Sequence, residues 1–300
     1  MNNLILKSLI EYMENVHNRC GLMYRIFGRT KTEESIRRKF QIKNYVEVGK
    51  KMQDFFGIRV TLYFSDDKEL LYNYLKESTS FVNESNNKNS TTEFCPQVLN
   101  LVMKLPEDLV ASFEAQKNNY EEFADYIDNT YEVQIRTVLS EGWHEVEHDL
   151  RYKFKDDWTN FEKYDRLLNG VFATLETSEW SMLSIFDNLA HAHYKKNNWS
   201  SVLRFKMRLR FHQSNQSLSD AVSSYLNDEK NNNTSRQLFK TERYKVIKWI
   251  LDSKFDMPLT CDTVLFILNR LGPKDNNLIK MEPGRLTKEF DMLFGDCLTI

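Results

Sequence analysis

Nowhere does the chain string together enough apolar residues to cross a bilayer. Even the opening MNNLILKSLIEYMENVHN is broken by Lys7, Glu11 and Glu14, which also makes it unlike a secretory leader. Cysteine is scarce. Cys20, Cys95, Cys261 and Cys297 stand far apart without C-x-x-C spacing, so no disulfide framework is expected and reduced thiols in the cytoplasm are the economical reading. An excess of one charge is missing too, since 41 Lys and Arg against 43 Asp and Glu leave a formal −2. Global attraction to nucleic acid or membrane is therefore not expected, and any anion site must come from local clusters. What remains is an ordinary globular composition, 41% hydrophobic and 28% charged over 300 residues, enough for one large or two modest domains. No internal repeat is present.

Ile5, Leu9, Met13 and Val16 recur at helical spacing and predict an amphipathic helix from residue 3 to about 26, ended by Gly28. In GRTKTEESIRRKF, Thr30 and Glu33 have capping-box spacing ahead of a helix carrying Ile36 and Phe40. Arg29, Lys31, Ser35 and Lys39 cluster around that helix start, where free backbone N–H groups and cations together suit phosphate. The competing interpretation is a solvated basic segment.

Ile58, Val60, Leu62 and Phe64 alternate, predicting a strand entered through Gly57 and left through Asp66 and Asp67, with Asp54 just before it. Lys68 to Glu77 reads as a helix with Leu70, Leu71 and Tyr74 inward, and Asn83 to Thr92 as a polar surface loop. A further strand is expected from Val98 to Leu105, stopped by Pro106, and then a helix plus loop over 107–129.

The most informative stretch is YEVQIRTVLSEGWHEVEHDLRYK, residues 131–153. Val133 and Ile135 alternate with Glu132, Gln134 and Arg136, the period of a half-buried strand with a chemically loaded polar face. From Val138 the period becomes helical, with Leu139, Trp143, Val146 and Leu150 as one apolar stripe, so a strand-to-helix turn is expected at about Thr137. His144, Glu145 and His148 also fit H-E-x-x-H, a zinc-peptidase pattern. That interpretation lacks a patterned third ligand and leaves Glu132, Gln134 and Arg136 unexplained. The plainer competitor is an amphipathic helix with solvated or hydrogen-bonded histidines.

The ordered set resembles the RelA/SpoT-type alarmone synthetases, which move a pyrophosphate from ATP to the 3′ position of a guanine nucleotide. The residues carrying it are R-x-K-x-x-x-S-x-x-x-K from Arg29, D-x-x-G-x-R from Asp54, E-V-Q-I-R-T from Glu132, then Trp143, Glu147-His148 and Tyr152-Lys153. The resemblance implies an α/β (α+β) nucleotidyltransferase-like fold, a small mixed sheet flanked by helices, over residues 1–157, followed by a mainly helical accessory region over 158–300. It implies that Asp54 and Glu132 hold Mg²⁺, with Glu132 also a base toward the acceptor hydroxyl. It further implies that Arg29, Lys31, Ser35 and Lys39 grip the ATP triphosphate, that Arg29 also flanks the adenine, and that Arg59 stacks on it. Gln134, Arg136, His148 and Lys153 would line the acceptor side or steady Glu132.

The chain departs from the better-known synthetases where they carry G-Y-x-S-x-H. Counting back from the shared L-P ending puts Pro96 where the guanine-stacking tyrosine is expected and Asn100 where the histidine is expected. In this respect it resembles a branch with an E-G-W-H-E-V-E-H ending. Phe94 and Tyr131 are the candidate replacement platforms. The acceptor is therefore expected to be GDP or GTP, with the 3′ end of tRNA as the alternative and a catalytically degenerate nucleotide-sensing module as a second.

Beyond a boundary at DDW, Leu168, Phe172, Leu175, Met182, Phe186 and Leu189 follow near-heptad spacing, predicting a long helix packed on the catalytic domain or on a partner, a homo-oligomer included. Val202 to Phe211 alternates Arg204, Lys206, Arg208 and Arg210 with apolar residues, which fits a strand with a basic face, ambiguous with helix. LNDEKNNNTS reads as a low-complexity break, and Leu238 to Ser253 and Thr260 to Leu271 as short helices.

Overall fold

A computed structural model of the chain describes residues 2–43, 45–86, 99–120, 123–212 and 217–296. Packing divides it into two compact units, Met1–Asn15 with Tyr24–Trp180, and Val16–Met23 with Ser181–Ile300. The sequence reading divides the chain at 157/158, whereas the first unit extends to Trp180. The reason is that helix α7 (Glu162–Lys195) begins by packing on the catalytic side. Its Phe172 ring lies 4.8 Å from Trp143, and the Leu168 carbonyl accepts from the Trp143 indole.

The first unit is built on a five-stranded mixed sheet in the order β1-β2-β5-β4-β3. Its strands are β1 (Tyr24–Thr30), β2 (Phe56–Leu62), β3 (Phe81–Asn86), β4 (Leu99–Lys104) and β5 (Thr130–Thr137). Only β2 and β5 run parallel; every other neighbour is antiparallel. Opposed residues share a face, so the register sorts the sheet. Ile58, Val60 and Leu62 join Val133, Ile135, Leu101 and Met103 on an apolar side, all buried.

Helices α1 (Asn2–Cys20), α2 (Glu33–Lys43), α3 (Tyr45–Val48), α4 (Asp66–Lys76), α5 (Glu107–Lys117) and α6 (Val138–Glu147) flank this sheet. α1 buries Ile5, Leu9, Met13 and Val16 as its spacing implied, but it stops at Cys20 rather than near residue 26. Gly21 terminates it with φ +67, a conformation glycine adopts without steric cost. Gly28 is therefore no helix terminator. It sits inside β1, where a Cβ would come within 2.8 Å of Leu6 and Ile10 of α1. The cap of α2 also differs, because Thr30 belongs to β1, and the Thr32 hydroxyl accepts from the Ser35 amide instead.

Residues 83–86, expected in a loop, form part of β3 against β4; the rest of that loop, with Phe94, Cys95 and Pro96, lies outside the described residues. α6 begins where the spacing placed it, through a reciprocal cap between Thr137 and Ser140. Its stripe is only partly buried: Trp143 is 4% exposed, whereas Val146 and Leu150 are 49% and 63% exposed. Glu141 and Glu145, one turn apart, instead reach Arg59 on β2.

The second unit is helical, with α8 (Trp199–Met207), α9 (Asp220–Asn227), α10 (Asn232–Lys240), α11 (Arg243–Asp252), α12 (Cys261–Leu271), α13 (Asn276–Lys280) and α14 (Gly284–Asp296). α12 is buried continuously from Thr263 to Asn269, which makes it the central helix. The basic strand drawn from the 202–211 alternation does not form. Residues 199–207 are helix α8, burying Val202, Leu203 and Met207, and Arg208 is itself buried beside Asp187. The supposed break at 226–235 likewise contains the start of α10. Among the described residues, no helix is long and apolar enough to cross a membrane.

Candidate active site

The polar side of the sheet carries the chemistry. By register, Phe27 and Arg29 of β1, Gly57 and Arg59 of β2, Glu132, Gln134 and Arg136 of β5 and Asn100 of β4 share one face. They form a connected network. Glu132 accepts from Asn100 at 3.2 Å on one carboxylate oxygen and from Gln134 at 2.7 Å on the other. The Gln134 carbonyl oxygen accepts in turn from Arg59 Nε at 3.3 Å. Arg59 then donates to Glu141 at 2.6 Å and to Glu145, so the central strand, its parallel neighbour and α6 are tied through one guanidinium. Arg136 approaches Glu141 at 3.7 Å. Burial, followed by repulsion from Arg59, lowers the Arg136 pKa, partly countered by Glu141, Glu145 and Glu132.

A second cluster sits at the entrance to β2. Asp54 Oδ2 takes Lys31 Nζ at 2.7 Å and Lys39 Nζ at 2.6 Å. Burial alone would raise the Asp54 pKa, but the two ammonium groups outweigh it and hold the carboxyl below its usual range. Asp54 Oδ1 is buried without a hydrogen-bond partner. The cluster adjoins the start of β5: Thr130 donates to the Gln53 carbonyl at 2.9 Å, and Gly57 is paired with Glu132.

Magnesium suits this chemistry. It takes oxygen donors, commonly one or two carboxylates with the remaining positions filled by substrate oxygens and water. Asp54 offers an unengaged oxygen, and the Glu132 oxygens retain lone pairs beyond the two amide hydrogen bonds. Among the described residues, no three His, Cys, Asp or Glu side chains group as a metal cluster.

A cavity of about 220 Å³ opens on the same face, lined by Phe27, Gly28, Arg29, Gly57, Arg59, Gln134 and Glu145. It joins four residues of the nucleotide motifs, Arg29, Gly57, Arg59 and Gln134, to three that those motifs do not include: Phe27, exposed by 52%, Gly28 and Glu145. Asn100, Glu141 and Glu145 were likewise missed as site residues. The signal for Phe27 was its position two residues before Arg29, on the same side of the same strand.

Other candidates lie elsewhere. Ser35 bonds Thr32 at the start of α2. His148 and Lys153 both meet Asp149, at 3.0 and 2.6 Å, in and just after the π-helical turn His148–Tyr152, rather than Glu132. Tyr131 cannot act as a base platform, because it is 1% exposed on the apolar side. His144 is buried against Trp143 and Phe172, and burial, then Arg136, Arg59 and Lys68, push its pKa down to about 3.

Comparison with known proteins covers this same stretch. Residues 28–157 match the family model described as a region found in RelA / SpoT proteins. No match was found among curated proteins. Among solved structures, the chain is similar to small alarmone synthetase 1 from Bacillus subtilis, at 21% identity over 61% of this chain and 91% of that one, with a TM-score of 0.47. Small alarmone synthetase 2 from the same organism is 20% identical over 60% and 89%, with a TM-score of 0.45. A GTP pyrophosphokinase family protein from Streptococcus pneumoniae is 19% identical over 62% and 90%, with a TM-score of 0.47. The family match spans the strands that gather the motif residues onto one sheet face, and residues 28–157 of this chain form a RelA/SpoT-type domain.

Proposed function

We propose that the chain transfers the β,γ-pyrophosphate of ATP to the 3′-hydroxyl of GDP or GTP, producing (p)ppGpp. The observation that carries this reading is the placement of Asp54, braced by Lys31 and Lys39, at the start of β2, beside the parallel strand bearing Glu132. Lys31, Lys39 and Arg29 provide positive charge for a triphosphate, and Arg59 offers a planar guanidinium to the adenine. Glu132, oriented by Asn100 and Gln134, takes the proton of the acceptor 3′-hydroxyl. The acceptor oxygen forms its bond to the β-phosphorus as the bond from that phosphorus to the α–β bridging oxygen breaks, and AMP departs. Bound Mg²⁺, held by Asp54 and Glu132, would neutralise the phosphate charge that this displacement redistributes.

The test is label transfer from β,γ-labelled ATP, offered GDP, GTP and tRNA separately. Label on GDP or GTP is expected, together with its loss in Glu132→Gln. Label on tRNA alone would replace the acceptor, and label on none would end the reading. The tRNA alternative has lost the basic strand that helped to admit it, since that segment is α8 with a buried Arg208.

A further inference from the structure

Resting on the ATP reading above, we propose that Phe27 and Glu145 are the base-reading pair of the donor pocket. Phe27 gives the purine a ring to pack on, and Glu145 accepts a hydrogen bond from its exocyclic 6-amino group.

Three observations converge. Phe27 is half exposed although it is a large aromatic on a strand, and its register partner is Arg59. An exposed phenyl ring next to two guanidinium groups, Arg29 and Arg59, gives a flat heterocycle a bed of π and cation–π contacts. The cavity they line is limited in volume, about 220 Å³, and it lies on the face that also holds Glu132.

Glu145 supplies direction. Its side chain is 54% exposed, and one oxygen engages Arg59. Among the described residues its other oxygen carries no hydrogen bond. An ionised carboxylate can only accept, so it pairs with a donor on the base edge and repels a carbonyl or an unprotonated ring nitrogen. The other polar side chain aimed from β5, Gln134, already has both ends of its amide engaged, by Glu132 and Arg59. Glu145 is thus the side chain lining the pocket with a wholly unengaged acceptor oxygen for the base. The two roles differ in kind. Packing on Phe27 tolerates any base, whereas the Glu145 contact distinguishes adenine from a purine that carries no donor on that edge.

The probes are ATP and purine riboside triphosphate, which lacks only the amino group. Binding of each to the full chain is measured by calorimetry beside the transfer assay. A hydrogen bond to a charged acceptor implies roughly a ten- to hundred-fold preference for ATP in the wild type. Glu145→Ala is expected to bring that ratio close to one, and Phe27→Ala to weaken both nucleotides by a similar factor while keeping the ratio. Glu145 is exposed, so the alanine variant retains its packing. If ATP binds and transfer proceeds, but the ratio is the same in wild type and Glu145→Ala, this inference falls while the pyrophosphokinase reading stands. If neither nucleotide binds the wild type and no label moves, both fall together.

Discussion

Acidification should destabilise the first unit through one imidazole. His144 is buried, and burial together with Arg136, Arg59 and Lys68 lowers its pKa from 6.5 to about 3. In the unfolded chain the ring protonates near its ordinary value, so between these two limits the unfolded state holds the extra proton. Stability from this group is therefore complete above about pH 6.5 and is lost as the pH falls toward 3. At pH 5 the gap of about 1.5 pH units below the unfolded value amounts to roughly 2 kcal/mol. Urea unfolding of wild type and His144→Gln at pH 7 and pH 5 measures it. The loss of packing against Phe172 affects the variant at both values and cancels in the double difference. Wild type should lose roughly 2 kcal/mol more than the variant on acidification. Equal losses would show that the neutral imidazole is not held by its surroundings.

Asp54→Ala should leave Lys31 and Lys39 without their shared carboxylate and reduce transfer by at least about a hundred-fold, a loss that added Mg²⁺ does not restore in a rate-against-metal titration. Gly28→Val should drive a side chain into Leu6 and Ile10 and cost about 1–3 kcal/mol, read from the urea midpoint. Thr137→Ala removes the cap of α6 and the hydroxyl that donates to buried Glu179, whose pKa burial already raises. About 1 kcal/mol is expected from the cap and a further 1–3 kcal/mol from the unsatisfied carboxylate, again by denaturant titration.

Strand chemistry was more readable than helix chemistry, and the reason is periodicity. Alternation along Glu132, Gln134 and Arg136 assigned a face directly, and β5 obeys it. The junction at Thr137 was readable because the period changes there. By contrast, the stripe of Leu139, Trp143, Val146 and Leu150 implied one buried side, but α6 turns Glu141 and Glu145 toward Arg59 on a polar sheet face. Apolar spacing cannot report that the surface awaiting a helix is itself charged. The same blindness made 202–211 look like a basic strand. Arg208 alternates well on paper, yet it is buried in a left-handed conformation (φ 48) that ends α8. Among site residues, Asp54 and its lysines are visible through their motifs, whereas Phe27 and Asn100 join the site only when neighbouring strands set their register, and Glu145, singled out in the sequence only through H-E-x-x-H, joins it through the turn of α6 toward Arg59.

β5 is flanked on both sides, parallel to β2 and antiparallel to β4. Sliding it by a single position would carry Glu132, Gln134 and Arg136 under the sheet and bring Val133 and Ile135 out. Conservative replacements at its inward positions are therefore a mild injury, while adding or deleting one amino acid between Tyr131 and Arg136 would silence the whole constellation at once. A library of single-codon insertions along the gene would reveal that segment as its sharpest zone of intolerance.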